Sequence, residues 1–491
     1  MNTNQIRLGA GLIAAAFCWQ ASAQVTVPHV IGDNMVLQQG RAVPVWGWSK
    51  PGEHVTVRFA GQERAATADA TGRWQVKLGS LKASATPAEM VIEGDGKVVL
   101  TNILVGEVWF CSGQSNMEKP VGQQRGQKPV FNSGQELSSA NYPQIRLFNA
   151  ARARSSSPAS DVKGEWSVCS SNALEATKFS AAGYFFGREI YNELKVPVGL
   201  VESSWGGTRI EPWTPQEGFG MFPSLAEFVS NAQGTNRPAA ASTLYNGMVA
   251  PLVPFAIRGA LWYQGESNLI DVNDGLNYVE KMKALVLGWR KMWGQGEFPF
   301  YYVQIAPYAY TGRKDTKPHT ADALPLIWEA QTLSLSIPKT GMIVTTDLVD
   351  DLRDIHPRNK QDVGKRLALL ALAIDYGCKK IVYSGPLYQR MKVRGAKAVL
   401  SFDYVGGGLV SKDGKPLTWF TIAGADGKFE PADAIIEGKT VVVSSPKVPE
   451  PKAVRFAWDE AAQPNFFNQD GLPAVPFRTD GPQTARASTN N

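Results

Sequence analysis

Five nearly continuous apolar runs constrain this chain more than any other feature: ILVGEVWFC (103–111), VGLVESSW (198–205), IRGALWYQG (257–265), FPFYYVQIAP (298–307) and GMIVTTD (341–347). Strands without a polar face must be covered on both sides, which is the habit of parallel sheets wrapped in helices. Helical stretches with the necessary three- and four-residue apolar spacing lie between and after these runs: SAAGYFFGREIYNELK (180–195), opened by a capping Ser180, LNYVEKMKALVLGWRKMW (276–293), and KQDVGKRLALLALAIDYG (360–377), closed by Gly377. The alternation predicts an α/β class with a three-layer α/β/α core and a parallel sheet, whose functional groups gather at the carboxyl ends of the strands.

The chain has 491 residues, enough for two or three domains. From 24 to 102, short β-rich runs such as VPVWGW, HVTVRFA and RWQVKL are divided by turn signals, predicting an N-terminal β-sandwich-like domain. The α/β core is expected over 103–380, and strand-and-turn texture returns in a C-terminal β domain over 381–482. Residues 1–23 combine Arg7, an apolar run from Leu8 to Trp19 and the small residues Ala21-Ser22-Ala23, the pattern of a secretory signal peptide cleaved after Ala23. That run is shorter than the roughly 20 apolar residues of a membrane span, so a secreted or periplasmic protein without an anchor is expected.

Loss of Arg7 with that segment takes the formal charge from +6 to +5, and no block of like charges points to nucleic acid or a membrane surface. Cys111, Cys169 and Cys378 then remain, an odd number that allows at most one bridge. There is no HExxH and no Cys/His spacing suited to zinc, and no cofactor is expected.

The stretch VWFCSGQSNMEK (108–119) is where the first core strand breaks into small and polar residues. Gly113 supplies the freedom for a sharp corner, and Ser115 stands at the start of the next helix, where N–H groups favour a developing negative charge. Ser115 is therefore the candidate nucleophile, the alternative being a helix cap, and Cys111 reads as a buried strand residue. Met117 occupies the place of the second glycine of G-x-S-x-G, so the α/β-hydrolase elbow does not apply. A serine needs a base. Of the four histidines, His29 and His54 fall in the N-terminal β region and His319 in a charged loop, whereas His356 follows the last core strand and precedes a strong helix. Asp354 could orient it, with Asp351, Asp350, Asp347 and Glu266 as competitors. Oxyanion donors could come from the Ser115 N–H, from Gly207 or Gly206 in SSWGGTRIEPW, and from Gln264 or, less favoured, Asn268 in YQGESN.

With these motifs in place, the chain resembles the SGNH hydrolase superfamily and, within it, the sialate O-acetylesterase-like carbohydrate esterases, through NMVLQQGRAVPVWGW, GEVWFCSGQSNME, ESSWGGTRIEPW, LWYQGESN and DIHPRNKQDVGKRLALLAL, and onward to SGPLYQRM and GLPAVPFRTD. The resemblance assigns Ser115 as nucleophile, His356 as base, Gly207 as the second-block glycine and Gln264 in place of the third-block asparagine. It departs at the D-x-x-H element, where Arg353 stands three residues before His356 and Asp354 one step closer. It implies removal of acetyl groups from an acetylated oligo- or polysaccharide, without metal. A non-catalytic sugar-binding protein on the same core is the alternative; it would have no reason to keep Ser115, His356 and the amide donors together. A lipase or thioesterase is disfavoured by the lack of an amphipathic lid stretch.

Overall fold

The computed structural model describes residues 24–231, 240–314 and 318–482; the expected signal peptide lies outside them. The α/β core contains seven strands, β1 (Gly96–Gly113), β2 (Asn141–Asn149), β3 (Trp166–Ser170), β4 (Val198–Ser204), β5 (Gly259–Tyr263), β6 (Phe300–Val303) and β7 (Thr340–Ile343), in the order β7-β6-β5-β1-β4-β2-β3. Every pairing along this path is parallel except β2 with β3 at one edge. The helices used below are α1 (Ser115–Glu118), α2 (Ala181–Leu194), α3 (Glu266–Val272), α4 (Tyr278–Trp293), α5 (Ala323–Leu333) and α6 (Lys360–Ile374).

The apolar strands are buried on both faces, as their composition demands. On β1, Val108 and Phe110 enter the layer built with α4 and α5, while Trp109 and Cys111 enter the layer built with α2 and α6. Phe110 meets Trp289 of α4 at 5.3 Å between ring centroids, and Trp109 meets Phe186 of α2 at 4.9 Å. Each such side chain contributes roughly 1.5–3 kcal/mol by leaving water, so the sheet is gripped from both sides. The helix starts are chemically marked: Ser180 Oγ accepts the Gly183 N–H at 3.0 Å, and Asn359 Oδ1 accepts that of Asp362 at 3.0 Å. Helix α6 stops at Ile374, short of Gly377, where Asp375 ends it.

The α/β/α core with flanking β regions is the expected architecture. At the expected boundary between residues 102 and 103 the chain stays within one strand but bends: Asn102 has φ +56°, and the pairing of β1 with Ser84–Gly94 shifts register between Met90–Leu100 and Ala88–Ile103. The first half of β1 pairs antiparallel with Ser84–Gly94 and, over Leu104–Gly106, in parallel with Val36–Gln38, and its second half is the centre of the core sheet. Strands β2 and β3 have no counterpart among the five apolar runs. As the edge pair they carry polar residues, and Pro143 interrupts the first of them. The C-terminal strands form separate sheets, led by Leu387–Arg394 with Lys397–Asp403, and dock on the core through Arg478 to Glu329 at 2.8 Å and Glu460 to the Thr311 N–H at 3.0 Å. Cys111, Cys169 and Cys378 are free thiols, and no helix among the described residues is long and apolar enough to cross a membrane.

One carboxylate joins the parts. Glu107, fully buried on β1, accepts from Arg258 at 2.6 and 2.9 Å, from Gln38 at 3.1 Å and Gln39 at 2.7 Å, and from the Tyr376 hydroxyl at 3.0 Å. Removing one partner of such a group leaves the others buried without a counter-charge. Glu107→Ala is expected to lower stability by about 3–5 kcal/mol, read as an earlier midpoint in denaturant.

Candidate active site

Three strand ends are level at the carboxyl edge of the sheet: Gly113 is in register with Ser204 of β4 on one side and Tyr263 of β5 on the other. Gly113 has φ +142°, and a Cβ there would lie 2.2 Å from the Tyr263 carbonyl oxygen, so only glycine permits the approach. The corner is tied to both neighbours, Gln114 N–H donating to Tyr263 O at 3.0 Å and Trp205 N–H to Gly113 O at 3.1 Å. The next residue, Ser115, opens the single turn α1.

His356 arrives from the far edge, on the loop after β7. That loop is strapped to the segment following α1: Arg358 Nε donates to Pro129 O at 2.9 Å, Phe131 N–H to Arg358 O at 3.3 Å, and Gln361 Nε2 to Phe131 O at 2.6 Å. His356 Nε2 and Ser115 Oγ are 2.9 Å apart, within reach for proton transfer. Burial, then the ammonium groups of Lys360 and Lys119, push His356 down to about 4 against a smaller opposing pull from Asp354. The imidazole is therefore neutral at neutral pH, the form a base requires.

Asp354 lies beside His356, but its Oδ1 accepts the backbone N–H of His356 at 3.0 Å and stands 3.7 Å from Nδ1, beyond hydrogen-bond length. Asp351 turns to Arg353 at 3.1 Å, Asp350 to Arg358 at 3.9 Å and Asp347 to Arg366 at 2.7 Å. Glu266 is buried, and its Oε1 accepts from Asn116 Nδ2 at 2.6 Å; it meets the residue after Ser115 and not the histidine ring.

The glycine alternatives separate cleanly. The Gly206 N–H is taken by Glu118 Oε2 at 2.9 Å, and a Cβ on Gly206 would lie 3.0 Å from that oxygen and 3.1 Å from Ser115 Cβ. Gly207, at φ +72°, faces open space, and neither its N–H nor that of Ser115 has an acceptor among the described residues. Gln264 departs from the expected free donor: fully buried, its Nε2 donates to Asn268 Oδ1 at 2.7 Å, Gln114 Oε1 at 3.1 Å and Thr208 O at 3.2 Å, while its Oε1 accepts from Tyr278 at 2.6 Å. Asn268 is equally committed, to Ile210 N–H at 2.9 Å and Asp274 at 2.7 Å. Both brace the turn carrying Gly207. Gln114 emerges instead: its Oε1 also accepts the Ser267 N–H at 3.2 Å, which fixes the amide's orientation and leaves Nε2 with no acceptor among the described residues. Its signal in the sequence was its place directly before Ser115.

A polar cleft of about 730 Å³ opens beside this corner, lined among others by Glu118, Arg125, Asn149, Arg152, Glu202 and Ser204. The Glu202 carboxyl is pushed up to about 8 by burial, and Trp205, directly after Ser204, lies under Arg154 at 3.9 Å. His29 is paired with Asp161 and His319 lies against Tyr310. Among the described residues no group of three or more His, Cys, Asp or Glu side chains is arranged to hold a metal ion.

This fold and this site define an SGNH-like ester hydrolase. Residues 105–373 match the family described as "Carbohydrate esterase, sialic acid-specific acetylesterase", and the chain belongs to that family. It is 30% identical to a sialate O-acetylesterase of Pongo abelii, with 95% of each chain covered, and 32% identical to that of Homo sapiens over 80% of each. A solved carbohydrate acetylesterase from Xanthomonas citri superposes with a TM-score of 0.83 at 38% identity, covering 93% of this chain and 99% of the other.

Two outcomes follow from the geometry. A base is lost when it protonates, so with His356 in that role kcat/KM should stay level from pH 7 to about 5 and fall as pH passes below about 4, where an ordinary imidazole would give the fall near 6.5. Gly206→Ala, which pushes on Ser115 Cβ, should cut kcat roughly 10- to 100-fold with little change in thermal midpoint.

Proposed function

We propose that this protein is an exported carbohydrate O-acetylesterase that works through a serine acyl-enzyme. The observation that carries the reading is the 2.9 Å contact between Ser115 Oγ and His356 Nε2. Ser115 Oγ attacks the carbonyl carbon of an acetyl ester on a sugar while Nε2 takes its proton. The oxyanion of the tetrahedral intermediate is met by the N–H groups of Ser115 and Gly207, with Gln114 Nε2 as the side-chain donor. Collapse breaks the bond to the sugar oxygen, which leaves with the proton from His356. Water then gives a proton to His356, its oxygen attacks the acetyl-serine, and acetate departs with Ser115 restored. Asp354 serves by holding the backbone of His356 and by its charge near Nδ1.

The substrate class is an O-acetylated sugar, sialate or a plant cell-wall glycan such as xyloglucan, seated in the polar cleft next to the corner. The names of the relatives, sialate O-acetylesterases and a carbohydrate acetylesterase, support this class. Export is supported by the pattern of residues 1–23.

Acetate release from a panel of acetylated glycans tests the reading. Ser115→Ala should lose about 10⁴-fold or more in kcat with the fold unchanged; activity near wild type would refute the nucleophile. Gln114→Ala should lose about 10²-fold, as for removal of one oxyanion donor. Asp354→Asn should cost less than either, about tenfold, because its contact with the imidazole is electrostatic and not a hydrogen bond.

A further inference from the structure

We infer that Asn116 is a positioning residue for the Ser115–His356 pair, clamped between a buried lysine and a buried glutamate that act through it. The inference rests on the serine mechanism proposed above and adds residues that mechanism does not use. Asn116 and Lys360 are fully buried and Glu266 is 1% exposed. Lys360 Nζ donates to Asn116 Oδ1 at 2.7 Å; Asn116 Nδ2 donates to Glu266 Oε1 at 2.6 Å and to the carbonyl of Ile355 at 3.0 Å. An ammonium can only donate and a carbonyl can only accept, so the amide has one possible orientation.

The topology gives this amide its significance. Asn116 follows the nucleophile and Ile355 precedes the base, so one hydrogen bond joins the neighbour of each reacting group. The three side chains come from the corner after β1, the start of α3 after β5 and the start of α6 after β7. No backbone ladder joins β7 to β1 directly, since β6 and β5 lie between them. The distance from Ser115 to His356 is therefore set by loops, and this is a point where side chains fix it. Lys360 is held in turn: a charge buried without a partner is costly, and the ammonium, over the face of Tyr263 at 4.8 Å, makes its hydrogen bond to Asn116. The same ammonium repels the protonated form of His356, as does Lys119, while Asp354 opposes them.

A merely structural amide would change stability alone. A positioning amide changes the chemical step, so kcat should move and KM should not. Two readouts separate this inference from the function it rests on: acetate release, and the rate at which an alkyl fluorophosphonate labels Ser115, which needs no sugar. Asn116→Ala should lower kcat and the labelling rate together by about 100-fold with KM within about threefold. Glu266→Leu should resemble it, and Glu266→Gln, which keeps an acceptor oxygen for Asn116, should restore most of the loss. Labelling of Asn116→Ala within about threefold of wild type would overturn the inference. If that variant does not fold, equal labelling of Glu266→Leu and Glu266→Gln would overturn it. A wild-type chain that is labelled but releases no acetate would fault the proposed function, and the labelling comparison would still decide the role of Asn116.

Discussion

The architecture of the site depends on the contact between Gly113 and the backbone of Tyr263. A missing side chain lets two parallel strands end within touching distance, and everything catalytic is measured from that point. Ser115 is two residues past it, Gln264 and Glu266 directly follow the opposing strand, and Trp205 is hydrogen-bonded to Gly113 itself. Were the tips spread by one methyl group, Gly207 after β4 and the Gln264 brace after β5 would no longer converge on the turn after β1. The strand interiors, buried on both faces by aromatic packing, supply the rigidity that makes such a contact useful.

Electrostatics at the site run against the usual picture of a serine hydrolase, in which a carboxylate hydrogen-bonded to the imidazole stabilises its charge. Here the carboxylate of Asp354 is set back at 3.7 Å, while burial and two ammonium groups favour the neutral ring. The same crowding pushes Lys360 down to about 7 and Lys119 to about 8, burial being the first cause in each. In the proposed serine mechanism, the imidazolium formed during attack would be less strongly stabilised than in a tightly hydrogen-bonded triad, and would give up its proton to the leaving sugar oxygen readily. A base available in mildly acidic surroundings is the return.

Much of this was legible in the sequence because it is written in local patterns. The apolar runs placed β4, β5, β6 and β7 at their observed positions to within a few residues and caught the core half of β1, missing the seven residues before Ile103, and the three long helices declared themselves by periodicity and caps. Ser115 and His356 were identifiable because each stands at a strand-to-helix passage. Strands β2 and β3 were not, since edge strands with polar residues lack the continuous apolar signature, and α5 was hidden in a stretch without a clear amphipathic face. The division of labour among the amides was also out of reach: Gln264, Asn268, Gln114 and Asn116 are chemically alike, and only their partners in space decide which donors are spent and which remain. Whether Gly206 or Gly207 offers its N–H likewise turns on Glu118, a residue 88 positions away.

Strand β1 carries a consequence of another kind. It is one strand shared by two sheets, bent at Asn102, and on either side of that bend its side chains alternate between faces with a period of two. Inserting or deleting one residue between Trp109 and Gly113, where β4 and β5 pair in unbroken register on both edges, would put the aromatic faces of the strand out of step with the serine turn. The bulge at Asn102 can absorb a change of length on the N-terminal side of the strand, whereas the stretch from Trp109 to Gly113, paired on both edges, has no such slack.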